Sequence, residues 1–296
     1  MKHWVQAFRL RTLPLAVSSI LVGSALAHYR GVFSWAIFGM ALITAILLQL
    51  LSNLANDLGD HEHGTDNDDR IGPVRSVQSG AISPASMKRA MVICGALALL
   101  SGLALIFFAF GSSMTTVAFL MIGLSAIGAA VKYTFGKNPY GYAGLGDLSV
   151  FLFFGVVGVA GTFYLYSRSF DAITLRPVLI FGLLSVAVLN LNNMRDIEND
   201  RACGKRTLVV RLGLKNALQY HFFLVFIPFM LLSHMAWSGI HGPWMWLALI
   251  GYILPMIHLF RIQHAAGKIP LDLELKRVAL GTFFTAILFS LGLILA

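Results

Sequence analysis

The sequence predicts an all-α integral membrane protein, and three observations lead to this prediction. Of the 296 residues, 57% are hydrophobic and only 12% are charged, whereas soluble domains contain about 25% charged residues. Several stretches reach the roughly 20 apolar residues that a bilayer crossing needs and contain no Asp, Glu, Lys or Arg. Basic residues gather in alternate connections between these stretches, as in membrane proteins. The composition excludes a water-soluble enzyme, a disordered tail and a fibrous repeat, and the basic excess needs no nucleic-acid partner.

The uncharged stretches give a count of nine spans. Five stretches are long enough for one crossing each: residues 12–29, 31–56, 148–167, 177–194 and 278–296. Two stretches hold two crossings each: residues 90–131, with a turn at Gly111 to Ser113, and residues 216–260, interrupted at residues 238–243. Pro228 and Pro255 predict kinks in the seventh and eighth spans. The first span also has features of a signal peptide, but the eight spans after it favour a membrane helix. We expect one domain over residues 1–296.

Charge predicts the orientation of this bundle. With the N-terminus inside, all of the 22 Lys and Arg residues except Arg30, Arg168 and Arg176 fall on the inner side, as the positive-inside rule requires. Nine spans then place the N-terminus in the cytoplasm and the C-terminus on the outer side of the cell (inner) membrane. Of the 13 Asp and Glu residues, only Asp171 falls outside. Acidic residues hardly affect topology, so we expect the inner acids to serve a function.

The first acidic cluster follows the second span and extends from Asn53 to Arg70. If the second helix continues through it, Asn56 and Asp60 project from one face because they are four residues apart. Asn53 and Asp57 form a neighbouring pair with the same spacing. The adjacent His-Glu-His sequence lacks the spacing of a helical zinc site.

The second acidic cluster, from Asn190 to Arg201, follows the sixth span, and its Asn192, Asp196 and Asp200 share a helix face by the same spacing. Facing carboxylate rows suit Mg²⁺, which takes oxygen ligands from one or two carboxylates, substrate phosphates and waters. Lys and Arg side chains beside the acids neutralise the outer phosphate oxygens. A solvated loop is the alternative for either cluster alone. Two such clusters led by intramembrane asparagines favour a functional site.

These residues resemble the motifs of the UbiA superfamily of membrane prenyltransferases. The first cluster is similar to its Asn-x-x-x-Asp motif and the second to its Asp-x-x-x-Asp motif. Residues 10–15, 66–75, 139–147 and 192–208 look like the branch that prenylates 1,4-dihydroxy-2-naphthoate in menaquinone synthesis. The chain departs from the pattern at Gly64, where the superfamily often has a further Asp. Asp66, two residues later, is the candidate to replace it.

The resemblance implies a reaction and a set of site residues. A polyprenyl chain would pass from polyprenyl diphosphate to an aromatic carboxylate acceptor, 1,4-dihydroxy-2-naphthoate, with Mg²⁺ as cofactor and release of CO₂ and diphosphate, giving demethylmenaquinol. The implied metal ligands are Asn56, Asp60, Asp66, Asp196 and Asp200. The implied catalytic residues are Asn56, Asp60, Asp196, Asp200, Lys132 and Tyr133. The implied substrate-binding residues are Arg11, Asn53, Asp57, Arg70, Arg75, Asp147, Asn192, Arg195 and Lys205.

The inner connections 53–89, 132–147 and 190–215 would therefore form the active site. In the middle connection, Lys132 is a candidate for binding the diphosphate or the acceptor carboxylate, and Tyr133, Tyr140 or Tyr142 for facing the allylic cation. Membrane lipid is the expected surrounding, with no nucleic acid and no obligate protein partner.

Other functions remain as alternatives. The acceptor could be another aromatic acid such as 4-hydroxybenzoate. A secondary transporter would place its charged residues near the bilayer midplane, and a phosphatidyl-transferring enzyme would have fewer spans and a single acidic motif. The acids of this chain gather at one face, which favours the prenyltransferase.

Overall fold

Helices are the only regular structure in the residues that the computed structural model describes, 2–239, 242–264 and 270–296. The first α-helices are α1 (Lys2–Phe8), α2 (Leu13–Tyr29), α3 (Trp35–Glu62), α4 (Pro84–Phe110), α5 (Met114–Lys132) and α6 (Gly146–Val150). A π-helix, Phe151–Gly161, joins α6 to α7 (Thr162–Ser167). The remaining α-helices are α8 (Leu175–Arg195), α9 (Ile197–Ala202), α10 (Leu208–Ser238), α11 (Trp246–Gly251), α12 (Ile253–His264) and α13 (Leu271–Ile294).

The predicted count of nine spans is confirmed when one bent pair counts as a single span. Eight stretches of the described residues are long and apolar enough to cross a bilayer, and a ninth is bent by 42° between Gly251 and Ile253. This bend fulfils the prediction at Pro255, because a proline ring clashes with the carbonyl four residues earlier. In contrast, α10 has helical backbone at Pro228, and its non-helical residue is Gly213. Parts of two predicted connections, residues 240–241 and Lys268, lie outside the described residues.

Helices α2, α8 and α13 form the core of the bundle, and the membrane-spanning windows that contain them are each 56% buried. Glycines allow close approach between neighbouring helices, as in other membrane bundles. A Cβ atom on Gly251 would lie 2.7 Å from the backbone of Thr285, and one on Gly155 would lie 2.9 Å from the Val178 carbonyl oxygen. Outer helices such as α3, α4 and α5 leave most of their apolar side chains at the surface.

The two predicted motifs lie at one end of this bundle, where α3 and α8 terminate. We call it the motif end, and it includes the connections 63–83, 133–145 and 203–207. Helix α1 is fixed here because the Asn53 amide donates to the Phe8 carbonyl at 2.8 Å and to Thr12 Oγ1 at 2.9 Å. Exposed tryptophans lie on the opposite side, where helices α3 and α11 begin and α10 ends: Trp35, Trp237, Trp244 and Trp246. Such residues are typical of a membrane interface.

Candidate active site

The first motif is positioned by α3, which continues through Glu62 as predicted and places Asn56 and Asp60 one turn apart. The helix is followed by Gly64 in the left-handed region, with φ of 71°. The next amides turn back, and the Asp66 N–H donates to the Asp60 carbonyl at 3.2 Å. This turn brings the Asp66 side chain against the end of the helix. Asp66 therefore lies beside Asp60, and its role as replacement for the missing superfamily Asp stays a prediction.

Arg75 joins the acids of the first motif. Its Nη2 lies 3.0 Å from Asp60 Oδ2 and its Nε lies 3.1 Å from Asp66 Oδ1, while Nη1 donates to the Asn56 carbonyl at 2.8 Å. Burial lowers the pKa of Arg75, but Asp60 and Asp66 outweigh it and the pKa is raised. Neither carboxylate oxygen of Asp66 has a well-directed hydrogen bond from the described residues. Burial raises the pKa of Asp66 to about 6, and its Oδ2 faces no cation among the described residues.

The second motif lies where α8 ends, and here the helix is interrupted. Asp196 separates α8 from α9, with a φ of −99° and a ψ of 13°, so one continuous helix does not carry all three predicted residues. Hydrogen bonds of helical spacing persist, from Asp196 N–H to the Asn192 carbonyl at 3.2 Å and from Asp200 N–H to the Asp196 carbonyl at 2.8 Å. The predicted spacing is therefore retained through a local break.

Arg195 binds the acid of its own motif. Its Nε donates to Asp196 Oδ1 at 3.0 Å and its Nη2 to Asp196 Oδ2 at 2.7 Å. Nη2 also donates to Asn192 Oδ1 at 2.9 Å, and Nη1 donates to Asp272 Oδ1 at 2.8 Å. This bidentate pair is charge-assisted. Asp272, on α13, is absent from the set predicted from the sequence.

Lys205 links the two motifs. Its Nζ lies 3.5 Å from Asp60 Oδ1 and 3.7 Å from Asp200 Oδ1. Burial lowers the pKa of Lys205, but the charges of Asp60 and Asp200 together raise it by more, so the net shift of the pKa is upward. Burial also raises the pKa of Asp200 to about 6, against the opposing effect of Lys205. A buried ammonium therefore stands between one acid of each motif.

Arg70 forms a second link of the same kind. Its Nε lies 3.4 Å from Asp66 Oδ1 and 4.0 Å from Asp196 Oδ2. Burial and the neighbouring Arg75 lower the pKa of Arg70. Gly72 packs against the guanidinium groups of Arg70 and Arg195, because a Cβ atom at this position would lie 2.5 Å and 2.9 Å from them. The motifs thus face each other across two cations.

Tyr142, in the connection 133–145, contacts this site directly. Its hydroxyl donates to Asp60 Oδ1 at 2.9 Å and is hydrogen-bonded to Thr65. Lys205 Nζ lies 5.2 Å from the centre of the Tyr142 ring, within range of a cation–π interaction. Burial and the nearby Asp60 raise the pKa of Tyr142, so its hydroxyl remains a donor to the carboxylate.

Thr134 fixes the orientation of the Asn56 amide. Its Oγ1 contacts Asn56 Oδ1 at 2.9 Å and the Ala55 carbonyl at 3.1 Å. Gly59 permits this approach, because a Cβ atom there would lie 2.5 Å from the Thr134 carbonyl carbon.

Several residues predicted for the site have other contacts. Lys132 is exposed and its Nζ donates to the Lys137 carbonyl at 3.1 Å, so the structure does not bring it to the acids. Asp57 accepts the backbone N–H groups of Ser76 and Val77 at 3.2 Å and 3.1 Å. The predicted roles of Lys132, of Asp57 and of Asn53, whose amide fixes α1, stay predictions.

Tyr133 begins the connection 133–145, and Asp147 lies in α6, directly after that connection. The Tyr133 ring packs at 5.4 Å from the Tyr140 ring, and burial together with Asp147 raises its pKa. Asp147 accepts a hydrogen bond from the Tyr220 hydroxyl at 3.3 Å. Their roles in catalysis and substrate binding also stay predictions.

A cavity of about 280 Å³ opens between α1 and the connection 63–83. Arginines and apolar residues line it together: Arg9, Arg11, Arg70, Arg75, Val5, Leu10, Pro73 and Val74. Arg9 has a φ of 46°, which is uncommon for a residue other than glycine. Its Nη2 is buried and has no hydrogen-bond partner among the described residues. The cavity therefore offers one unpartnered guanidinium nitrogen, Nη2 of Arg9, next to apolar side chains.

The sequence prediction missed four residues that hold this site together. They are Thr65, Thr134, Asn199 and Asp272; Asn199 Nδ2 donates to the Thr65 carbonyl at 2.8 Å. Tyr142 was a candidate for facing the allylic cation, and the structure instead places its hydroxyl on Asp60. The four missed residues are brought to the site by contacts that are distant in sequence.

The donor set fits a divalent cation that is shared with a substrate. Among residues 2–239, 242–264 and 270–296, no three His, Cys, Asp or Glu side chains converge as a complete metal-binding set. Mg²⁺ needs only one or two carboxylates when phosphates and waters complete its shell. The facing carboxylates already attract Lys205 and Arg70, and Oδ2 of Asp66 has neither an ion-pair nor a hydrogen-bond partner among the described residues. The residues present therefore suit Mg²⁺ bound together with a diphosphate.

Comparisons with known proteins show the family to which the chain belongs. The model of the UbiA prenyltransferase family matches residues 16–288. A relative from Escherichia coli (strain K12), named 1,4-dihydroxy-2-naphthoate octaprenyltransferase, is 44% identical over 99% of this chain and 95% of its own length. A relative from Synechocystis sp., named 2-carboxy-1,4-naphthoquinone phytyltransferase, is 28% identical over 88% of this chain and 82% of its own length.

Solved structures have the same fold. The apo structure of a UbiA homolog from Aeropyrum pernix K1 matches with a TM-score of 0.70 and 17% identity, over 97% of this chain and 98% of that one. A UbiA homolog from Archaeoglobus fulgidus, bound to DMAPP and Mg²⁺, matches with a TM-score of 0.59 and 16% identity, over 97% of this chain and 99% of that one. This chain is a multi-pass membrane enzyme and belongs to the UbiA prenyltransferase family.

Proposed function

We propose that this enzyme transfers a polyprenyl group from polyprenyl diphosphate to 1,4-dihydroxy-2-naphthoate, in the synthesis of menaquinone. The names of its relatives support this acceptor. One structural observation carries the proposal: two carboxylate motifs face each other across Lys205 and Arg70, beside a cavity lined by arginines. The active site would lie at the cytoplasmic face of the cell inner membrane, with lipid as its surrounding.

The motif residues would bind the diphosphate end of the donor. Asn56, Asp60, Asp66, Asp196 and Asp200 would hold Mg²⁺, which supplies charge stabilisation for the leaving diphosphate. Lys205, Arg70 and Arg75 stand among these acids, so they lie within reach of the outer phosphate oxygens. Lys205 and Arg75 have raised pKa values and remain charged at neutral pH. Charge-assisted hydrogen bonds from such groups orient phosphate oxygens.

The cavity would bind the acceptor. The unpartnered Nη2 of Arg9 offers a donor for the acceptor carboxylate, and Leu10 and Val74 offer apolar contact to the naphthalene rings. Arg70 and Arg75 line the cavity and also contact the acids of the first motif. The acceptor ring would therefore lie next to the diphosphate end of the donor.

The transfer balances without another reactant. The bond from the allylic carbon to the diphosphate oxygen breaks, and diphosphate keeps the electron pair. The ring carbon that bears the carboxylate forms the new carbon–carbon bond. The bond to the carboxylate then breaks, its electron pair returns to the ring, and CO₂ leaves. Asp60, Asp66, Asp196 and Asp200 are at most 7% exposed, which limits the access of water to the cationic carbon.

The proposal is tested with the full chain in liposomes. Polyprenyl diphosphate and Mg²⁺ are offered with 1,4-dihydroxy-2-naphthoate or with 4-hydroxybenzoate, and prenylated product and CO₂ are measured. We expect product from the naphthoate only, lost on addition of EDTA and in Asp60→Asn and Asp196→Asn. Asp171→Asn is the matched control, since its carboxylate pairs with Arg30 far from the motifs in the topology. Product from the benzoate alone would overturn the acceptor, and no product from either would overturn the function.

A further inference from the structure

A buried polar chain connects four helices near the motif end, and the proposed reaction uses none of it. Its members are Asn190 on α8, His221 on α10, His258 on α12 and Glu274 on α13, all 0% exposed. Asn190 Oδ1 lies 3.1 Å from His221 Nδ1, and the two Nε2 atoms of the histidines are 2.8 Å apart. His258 Nδ1 lies 2.8 Å from Glu274 Oε2.

The hydrogen bonds of this buried polar chain all run in one direction, from donor to acceptor toward Glu274. A carboxylate only accepts, so His258 donates from Nδ1 to Glu274, and its Nε2 accepts from His221. His221 Nδ1 is then an acceptor that faces the Asn190 amide. Asn190 Nδ2 is buried without a hydrogen-bond partner among the described residues. A 180° rotation of the Asn190 side-chain amide exchanges Oδ1 and Nδ2 and supplies the donor that His221 needs. With that rotation each contact between two members pairs one donor with one acceptor, and buried hydrogen-bond networks of this kind rigidify the elements that they join.

Two arginines connect the buried polar chain to the surface of the protein. Glu274 Oε1 accepts from Arg261 Nε at 3.0 Å and from Arg277 Nη1. The side chain of Arg261 is 51% exposed and that of Arg277 is 27% exposed. The charge of Glu274 is therefore balanced at the rim of the bundle, and the histidines need not be charged.

The turn of α13 that holds Glu274 also holds Asp272. Asp272 Oδ1 lies 2.8 Å from Arg195 Nη1, and Arg195 grips both carboxylate oxygens of Asp196. The first turn of α13 is thus attached to α8 at two points. One attachment passes through the buried chain to Asn190, and the other passes through Arg195 to an acid of the second motif.

We propose that Asp272 is a positioning residue for metal binding at Asp196, and that the chain of Glu274, His258 and His221 holds Asp272 in place. Arg195 competes with a divalent cation for the oxygens of Asp196. The carboxylate of Asp272 also pairs with Arg195 and weakens the hold of Arg195 on Asp196. Less free energy is then needed for the Asp196 oxygens to leave Arg195 and bind the metal. This inference rests on the metal site of the proposed function.

The test measures the binding of Mn²⁺ by electron paramagnetic resonance, with inorganic diphosphate present and the full chain in nanodiscs. The variants are Asp272→Asn, Glu274→Gln and their double, with Asp171→Asn as the control that loses a paired carboxylate elsewhere. We expect Asp272→Asn to raise the Kd for Mn²⁺ by about fivefold, the lower end of coupling between sites. Glu274→Gln should shift the Kd in the same direction, and the double should equal Asp272→Asn.

Two results would overturn the inference. The side chain of Asp272 is 51% exposed, so Asp272→Asn removes a charge without opening the core, and an unchanged Kd for it is decisive even if Glu274→Gln fails to fold. Additive shifts in the double would show that the buried chain acts independently of Asp272. Wild-type protein that binds Mn²⁺ without making prenylated naphthoate would overturn the proposed function alone. Wild-type protein that binds no Mn²⁺ would overturn both.

Discussion

Arg75 is the residue with most contacts to the first motif. It reaches Asp60, Asp66 and the Asn56 carbonyl from three different nitrogen atoms. A lysine has one ammonium group and cannot reproduce this fork. We expect Arg75→Lys to lower kcat/KM for polyprenyl diphosphate by roughly tenfold or more, because the acids lose their alignment. Arg89→Lys, at an exposed position of α4, is the control. Equal activity of the two variants would contradict this role of Arg75.

The hydroxyl of Tyr142 provides a second test at this scale. It donates to Asp60 Oδ1, whereas the hydroxyl of the nearby Tyr140 donates to the Ala129 carbonyl at 2.9 Å. Both phenylalanine variants lose a hydrogen bond in the same connection, but only Tyr142→Phe removes one from an acid. We expect Tyr142→Phe to lower kcat by about tenfold, and Tyr140→Phe to lower the unfolding temperature with little change in kcat. Equal losses of kcat would show that the loop as a whole is responsible.

The acids of the site could be predicted because spacing on a helix is visible in a sequence. Asp60 needed only the continuation of α3, which the structure confirms. The cations that pair with the acids lie in connections, and their placement depends on contacts distant in sequence. The link from Asn199 to Thr65 joins residues 134 positions apart, and no local pattern predicts it.

At the scale of elements, the turn after α3 decides where Asp66 lies. Gly64 has a φ of 71°, where a side chain costs about 1 kcal/mol or more. We expect Gly64→Ala to lower the thermal unfolding temperature. We also expect it to raise the Mg²⁺ concentration that transfer requires, because Asp66 shifts. Gly128→Ala is the matched control, since Gly128 is in the helix α5 and no atom lies within 4 Å of its added Cβ. A loss in the control equal to that in Gly64→Ala would refute the argument.

The helices themselves were predictable where composition alone sets them. The turn between α4 and α5 follows from Gly111, with a φ of 59°, and from the cap at Ser113. The π-helix Phe151–Gly161 was not predictable, because its sequence is uniformly apolar. Its neighbours approach closely, and a Cβ atom on Gly158 would lie 2.7 Å from Ser19 Cβ. We attribute the wider helix to this packing, which overrides local propensity.

For the whole molecule, the distribution of polar residues separates two ends of one bundle. The motif end gathers both acidic clusters, their cations and the cavity of about 280 Å³. The opposite end has exposed tryptophans and the single ion pair of Arg30 with Asp171 recorded there in the described residues. This asymmetry agrees with the charge pattern of the sequence, which predicts that the motif end faces the cytoplasm.

That orientation is tested with cysteines in a background of Cys94→Ala and Cys203→Ser. Glu198→Cys, at a side chain that is 79% exposed, marks the motif end, and Ser169→Cys, also exposed, marks the opposite end. Because nearly all Lys and Arg residues lie on the motif side, the positive-inside rule keeps that side in the cytoplasm. A membrane-impermeant maleimide should label Ser169→Cys in intact spheroplasts and Glu198→Cys only in inverted vesicles. The reverse pattern would place the acids, and with them the proposed active site, outside the cell.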